Sequence, residues 1–591
     1  MNSIFLLLNI LPILFLYQFG GDLHVSFSLT KDFTLSLIQT PLGTFFAYLS
    51  LISFLLVTVS QKSKKLSCNY YALQLLLSFA MLIIVLAGDF ITFFIGWEIM
   101  TWSSYFIISK SNNIDIKSLQ KYILFSLASA FSLIAAIVIS YSFANSFDFA
   151  TISASFKSMP FDIQLTLIIL FSLSFFTKAG VIGLHYWVVD TYSKAPDLFS
   201  SILSAVMSKM GIYGLFLIYG NIVGYQELKI MFGTILNGTD FGYTLAWIGV
   251  ATSIIATFKA ITQDEVKRLL AYSSIAQLGY IIAVIGFGTT YGVAGALYHT
   301  LIHTIIKLLL FINVAAIIAQ TGKNRFSELG GLIYRTPVSF VMLLIGIIGL
   351  AGMPPLGGFA SKFMMYNAAI NTKFALILIG MLFSGAASFL YCYKLVYGIY
   401  LGHPTSKGLE TQKEVPLSYL IPQIILALLL VLTGAFPGAF VKVINPILTQ
   451  FSLKALPYDG VGIMDSAVGN FNGLFIMSAF VAFFVLILLL ISRIKSKAKN
   501  NINRFDISYC GEVPSKDTSL HYGFGFGTEL HRIKFVNAIL KRSTATFYDA
   551  LALQTKRSSE LLSRMYYGNI HNTMIIILLF FSALFFIGVN S

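Results

Sequence analysis

Residues 298–319 read YHTLIHTIIKLLLFINVAAIIA. As a helix this stretch spans about 33 Å at 1.5 Å per residue, enough to cross the hydrocarbon core of a bilayer. The i, i+4, i+8 spacing of His299, His303 and Lys307 puts all three on one face. An ionisable group in such surroundings costs about 2.5–3.5 kcal/mol on insertion scales, so by default it marks a functional position. Two histidines four apart also match a zinc-ligand spacing, but no HExxH pattern and no clustered acid or thiol accompanies them. The stripe reads as a proton-handling element, because imidazole titrates near neutrality and exchanges protons at either nitrogen.

Segments of the same apolar kind recur almost from end to end of the 591 residues. They lie near 3–18, 38–60, 70–87, 89–109, 119–143, 163–182, 199–220, 241–260, 269–289, 292–320, 337–353, 361–400 in two broken pieces, 416–437, 473–492 and 572–588. This predicts an all-α polytopic membrane protein of about 14–16 transmembrane helices. With 57% hydrophobic and 11% charged residues the chain is unlike a soluble domain. Its continuously apolar segments also lack the alternation of a β-barrel. The first segment has no basic flank and no small-residue cleavage site, and reads as a retained helix rather than a signal peptide.

A net charge of +15 suggests nucleic acid only until the charges are placed. They gather in short loops at Lys62, Lys64 and Lys65; at Lys110, Lys117 and Lys121; at Lys267 and Arg268; at Lys323 and Arg325; and from Arg493 to Arg504. That is the signature of cytoplasmic loops, with the bilayer and no nucleic acid as partner. The count of intervening helices puts the first four clusters on one side, and the fifth joins them if 361–400 is counted suitably. Cys68, Cys392 and Cys510 are too scattered for zinc or an iron–sulfur cluster, and no Gly-rich nucleotide fingerprint is present. No cofactor or metal is expected in this chain.

The organisation predicted is a transmembrane core over 1–440 and a connecting segment with one more helix over 441–492. A basic, amphipathic extension over 493–571 follows, then a last anchor over 572–591. Within the extension, residues 528–567 place Leu530, Ile533, Val536, Leu540, Phe547, Leu551, Leu561 and Met565 on a helical stripe opposite a basic face. Such a helix is about 60 Å long and suits the membrane interface or a partner's flank, the alternative being a hairpin of two shorter helices.

Buried charge recurs through the core. Glu98 stands in GDFITFFIGWEIMTWSSYF (88–106) and Lys178 in LIILFSLSFFTKAGVIGLHYW (167–187). If the two face each other at about 7 Å, their coupling is about 2–2.5 kcal/mol at an effective dielectric of 20, enough to switch a site. Lys209 lies in FSSILSAVMSKMGIYGLF (199–216), and Lys362 follows AGMPPLGGFASK (351–362). Gly180 and Gly183 after Lys178, and Pro354, Pro355, Gly357 and Gly358 before Lys362, predict a broken helix in each half. Paired breaks point to inverted repeats with the working site at the breaks. Asp89, at the edge of its segment, reads as interfacial.

Together these stretches resemble the antiporter-like, proton-translocating membrane subunits of respiratory complex I and group 4 energy-converting hydrogenases. The resemblance is carried by GDFITFFIGWE (88–98), KAGVIGLHYWVVDTYSKAP (178–196), SSILSAVMSKMGIYG (200–214), DEVKRLLAYSSIAQLGY (264–280), HTLIHTIIKLLLF (299–311), GGLIYRTPVSF (330–340) and GLAGMPPLGGFASKF (349–363). SAVMSKMGIYG and the tail ISYCGEVPSKDTSLHYGFGFGTEL (507–530) look most like the formate hydrogenlyase and hydrogenase-4 type. The resemblance implies a 14-helix core of two inverted five-helix repeats, a lateral helix and a final anchoring helix. It implies a proton relay of Glu98, Lys178, Lys209, His299, His303, Lys307 and Lys362, with His185, Asp190, Lys194 and Lys267 as secondary candidates. Iron–sulfur, nickel–iron, flavin or quinone chemistry then belongs to partner subunits: other membrane-arm subunits and a peripheral redox arm. The carried ion is H+, with Na+ as the variant, and the setting is the bacterial inner membrane. The chain departs from the family where Gly180 and Gly183 replace prolines, and where Thr191 and Tyr192 replace a His-containing stretch. Alternatives are a multisubunit sodium/proton antiporter, a carbon-uptake membrane subunit, or a lipid transferase, for which Asp264–Glu265 is the only obvious acidic pair.

Overall fold

A computed structural model describes residues 2–19, 23–30, 33–63, 66–235, 241–401, 408–463, 469–493, 526–541 and 544–567. The apolar runs fold as helices because a backbone polar group in hydrocarbon has to be satisfied within its own segment. In order they are α1 (Asn2–Phe19), α2 (Pro41–Ser60), α3 (Cys68–Leu86), α4 (Phe90–Ser109), α5 (Ile116–Ala144), α6 (Phe149–Phe156), α7 (Phe161–Ala179) and α8 (Tyr186–Lys194). Next come α9 (Asp197–Ile222), α10 (Tyr225–Ile235), α11 (Phe241–Ile261), α12 (Val266–Gly286), α13 (Thr290–Thr321), α14 (Pro337–Ala351), α15 (Gly357–Asn371) and α16 (Ala375–Leu401). The first unit closes with α17 (Leu417–Ala435), α18 (Pro437–Gln450) and α19 (Gly473–Arg493). Among the described residues twelve helices are long and apolar enough to cross a membrane. The chain is a multi-pass integral membrane protein.

Helices α3 to α9 and α11 to α16 are two copies of one arrangement. In each, two antiparallel helices pack closely (α3 on α4, α11 on α12), a third follows (α5, α13), and then comes a helix in two pieces (α7–α8, α14–α15). Each copy ends on a helix whose last turn is π-helical, Leu217–Ile222 and Tyr397–Leu401. Five crossings is an odd number, so the second copy starts from the opposite face and the repeats are inverted. With α14–α15 counted as one broken crossing, the loops bearing Lys62, Lys110, Lys267, Arg325 and Arg493 all fall on one side. Backbone pairing between Glu265 and Arg325 and the Lys194–Asp115 ion pair tie this side together.

The breaks end alike. Gly180 (φ +76°, ψ 42°) closes α7 and Gly352 (φ +77°, ψ 38°) closes α14. The amide of the following residue bonds back to the helix, Val181 to Phe176 and Met353 to Ile348, at 3.0 and 3.1 Å. This is the left-handed helix ending that glycine supplies without a Cβ penalty. Glycine acts differently in α11 and α12. A Cβ on Gly249 would sit 2.5 Å from the Gly279 carbonyl oxygen, and one on Gly242 2.5 Å from that of Gly286, so bare backbone lets the two helices touch.

Two features depart from the sequence reading. Between α1 and α2 the chain forms an antiparallel hairpin, β1 (His24–Thr30) and β2 (Phe33–Ile38), so the segment predicted from 38 begins as a helix only at Pro41. Its alternation, HVSFSLT and FTLSLI, was there to be read. Asp89 is buried rather than interfacial. It caps α4 through the Thr92 amide (2.7 Å) and binds the Ser36 amide (2.7 Å) and hydroxyl (2.8 Å) of β2. Replacing Asp89 with Ala removes a helix cap and leaves buried donors unpaired, and should cost about 2 kcal/mol. A thermal midpoint in detergent, with Asp89→Asn falling less, checks this.

The second unit begins at Leu530. Across the predicted lateral helix the described residues form α20 (Lys534–Lys541) and α21 (Thr544–Tyr567), and the two positions between them are outside the described residues. The tail around Cys510 and the predicted anchor at 572–588 also lie outside them.

A file of buried cations held by neutral oxygens

Lys178 occupies the last turn of α7. Its ammonium donates to Thr101 Oγ1 on α4 (3.3 Å) and sits within about 6 Å of the rings of Trp97, Tyr122 and Trp187. Glu98, half-buried and one turn from Thr101, acts on Lys178 through space without forming a direct ion pair. Its Oε1 is buried with no hydrogen-bond partner among the described residues. The two expected neighbours are thus brought together, coupled at a distance rather than bonded.

Lys209 lies on α9 just after a π-helical turn, Leu203–Met207. Such a turn leaves carbonyls without their usual helical partner. The Lys209 ammonium fills that need, donating to Ser204 O at 2.5 Å. Tyr192 spans the gap from Lys178. Its ring lies against Trp187 (centroids 6.2 Å) and its hydroxyl donates to Leu203 O (2.8 Å) at the start of that turn. Sequence reasoning noted Tyr192 only as a departure from the family pattern.

The long helix α13 delivers the stripe as its spacing predicted. Lys307 is fully buried and donates to Leu270 O (3.1 Å) and Ser273 Oγ (2.5 Å) of α12. His303 is fully buried with both ring nitrogens unpartnered among the described residues, and it feels the charges of Lys209 and Lys307. Its ring lies parallel to that of His299, centroids 6.1 Å apart. His299 bonds Ser361 Oγ through Nδ1 (2.9 Å) and Gln277 Oε1 through Nε2 (3.1 Å). Lys362, in the first turns of α15, turns back and caps the broken end of α14, donating to Ala351 O (2.7 Å) and Leu350 O (3.3 Å).

The secondary candidates separate from this file. Asp190 binds Lys121 (2.7 Å) and Arg268 (3.0 Å), Lys194 binds Asp115 (2.7 Å), and Lys267 binds Asp197 (3.0 Å) and Ala195 O (2.8 Å). These ion pairs clasp α5, α8, α9 and α12 on the basic side. The Lys194 ammonium holds the Asp115 carboxyl down at about 2. His185 lies in the first break, buried, with neither nitrogen hydrogen-bonded among the described residues. Sequence reasoning missed Lys394, also buried, which donates to Ile261 O (3.0 Å) and caps α11.

In Lys178, Lys209, Lys307 and Lys362 alike the ammonium is held by carbonyl or hydroxyl oxygens. Among the described residues none has a carboxylate within ion-pair distance. A buried cation with a fixed counter-ion is pinned in its charged form, whereas one held by neutral dipoles can give up its proton without stranding an anion. The arrangement suits proton transfer in steps.

Residues 87–388 match the transmembrane family described as NADH:quinone oxidoreductase/Mrp antiporter. NADH-quinone oxidoreductase subunit N of Desulforamulus reducens is 28% identical over 425 residues, 70% of this chain and 85% of that one. Hydrogenase-4 component B of Escherichia coli is 28% identical over 365 residues, 58% of this chain, which spans about half that relative's length (52%). A subunit in the structure of the membrane-bound sulfane sulfur reductase, an archaeal respiratory membrane complex, superposes with a TM-score of 0.86 at 30% identity, covering 98% of this chain and 96% of that one. The chain belongs to the NADH:quinone oxidoreductase/Mrp antiporter transmembrane family, as an antiporter-like membrane subunit of the complex I and group 4 hydrogenase kind.

Proposed function

We propose that the chain moves protons across a cytoplasmic membrane as one subunit of a redox-driven complex, through Glu98, Lys178, Lys209, His303, Lys307, His299 and Lys362. The observation that carries this reading is the row of buried lysines coordinated only by neutral oxygens. Their protonation is then set by one another's charge, so a charge arriving at one end propagates. The full-length likeness to a subunit of a respiratory reductase supports a redox partner arm, which would hold the iron–sulfur, nickel–iron, flavin or quinone groups. The five basic loops on one side support a cytoplasmic orientation for that side, and the setting proposed is a bacterial inner membrane.

Purification of the tagged protein in mild detergent should bring down membrane-arm subunits together with iron–sulfur or flavin subunits, identified by mass spectrometry. Recovery of small antiporter subunits alone would sink the redox drive and favour the sodium/proton antiporter alternative. In vesicles of the intact complex, substrate-driven acidification should collapse with a protonophore and persist without sodium.

A further inference from the structure

His299 is enclosed by a set of partners that the relay does not use directly. A carboxamide oxygen only accepts hydrogen bonds. Gln277 is oriented by its own amide donating to the Tyr391 hydroxyl (3.3 Å), so its Oε1 faces His299 Nε2 at 3.1 Å. The nitrogen on that side therefore carries a hydrogen whether the ring is neutral or charged, which leaves Nδ1 as the nitrogen that gains and loses a proton. Nδ1 faces Ser361 Oγ at 2.9 Å, and the same hydroxyl oxygen lies 3.0 Å from the carbonyl oxygen of Gly358. All of these side chains are buried: Gln277 is 1% exposed, His299 3%, and Ser361 and Tyr391 0%.

Ser361 has one hydroxyl proton and two acceptors for it. When His299 is neutral, Nδ1 is a lone pair and the hydroxyl donates to it. When His299 is cationic, Nδ1–H donates to Ser361 Oγ and the hydroxyl turns to Gly358 O. Both states keep the two ring nitrogens of His299 and the Ser361 hydroxyl hydrogen-bonded, so neither leaves the buried unpaired group that would pin the ring in one form. The hydroxyl's rotation reports the charge of His299 to the first turn of α15. That turn is where Gly358 packs on α14 and where Lys362, the next residue after Ser361, caps the broken end of α14.

We propose that Gln277 and Ser361 are positioning residues of the relay. Gln277 holds His299 as the Nε2–H tautomer, and Ser361 is a two-position hydroxyl switch joining the Nδ1 proton of His299 to the helix that carries Lys362. This deepens the proton-relay reading and rests on it for its functional consequence. The tautomer and the switch can be observed without any transport.

The test is made on the intact complex with 15N-histidine, the His299 signals being those lost in H299N. Solid-state NMR should show neutral His299 protonated at Nε2. Q277L should release an Nδ1–H population, and S361A should shift the Nδ1 signal while leaving Nε2 bonded. In transport, S361A should lower substrate-driven acidification at least tenfold, and S361T should restore most of it. A wild-type Nδ1–H tautomer, or an S361A variant that pumps at the wild-type rate, overturns the proposal. If wild-type vesicles move no protons at all, the transport reading fails and the NMR result alone decides the tautomer.

Discussion

Vesicles containing K307M should lose substrate-driven acidification by about tenfold or more, because a positioned proton carrier commonly contributes 10²–10⁴-fold to a proton-transfer step. Lys307 lies one turn after His303 and donates to the carbonyl of Leu270, and no ionisable side chain follows it on α13. The same substitution should leave thermal stability almost unchanged. Removing the ammonium forfeits two charged hydrogen bonds, each worth about 1.5–3 kcal/mol. It also relieves the cost of burying a cation without a carboxylate, about 2.5–3.5 kcal/mol on insertion scales. Methionine matches the length of lysine, so no large cavity opens. A thermal midpoint within a degree or two of wild type, together with lost acidification, separates a relay role from a folding role. Retained acidification removes Lys307 from the path.

The opposite pattern is expected at Gly358. A Cβ there would lie 1.9 Å from the carbonyl oxygen of Gly349, a backbone atom with no side-chain freedom to yield. Gly358→Ala therefore has to push α15 off α14, at about 3 kcal/mol by the overpacking scale. Monodisperse yield and midpoint should drop sharply, and the Lys362 cap on Ala351 should be disturbed with them. Gly183→Ala is the control. Its φ is +91°, but a Cβ there meets nothing within 4 Å, so only backbone strain of about 1 kcal/mol is expected. Equal midpoints for the two variants would show that close approach at the second break does not hold the fold.

The helices and their polar stripe were legible because both follow from periodicity. Spacing of 3.6 residues per turn placed His299, His303 and Lys307 together without knowledge of any neighbour. Pairing across helices was not legible in the same way. Lys178 and Glu98 were expected as a pair, and the structure inserts Thr101 and an aromatic cage, which only the packing of α4 on α7 through α5 brings about. The dependence of Lys209, Lys307 and Lys362 on carbonyl oxygens had no sequence signal at all, since every residue has a carbonyl. Lys394 and Asp89 show the limit from the other side. Both are buried like the proposed relay residues, yet each caps a helix end, and residue type alone does not distinguish a cap from a carrier.

The parallel rings of His299 and His303, centroids 6.1 Å apart, set how the site fills. Two positive charges at that separation repel by about 2.7 kcal/mol at an effective dielectric of 20. On the scale of 2.3 kcal/mol per 100 mV, that equals a bias of about 120 mV. A repulsion of that size disfavours a second proton about a hundredfold while the first is present. In the relay proposed above, the histidine pair would hold one proton at a time and so act as a single-occupancy turnstile.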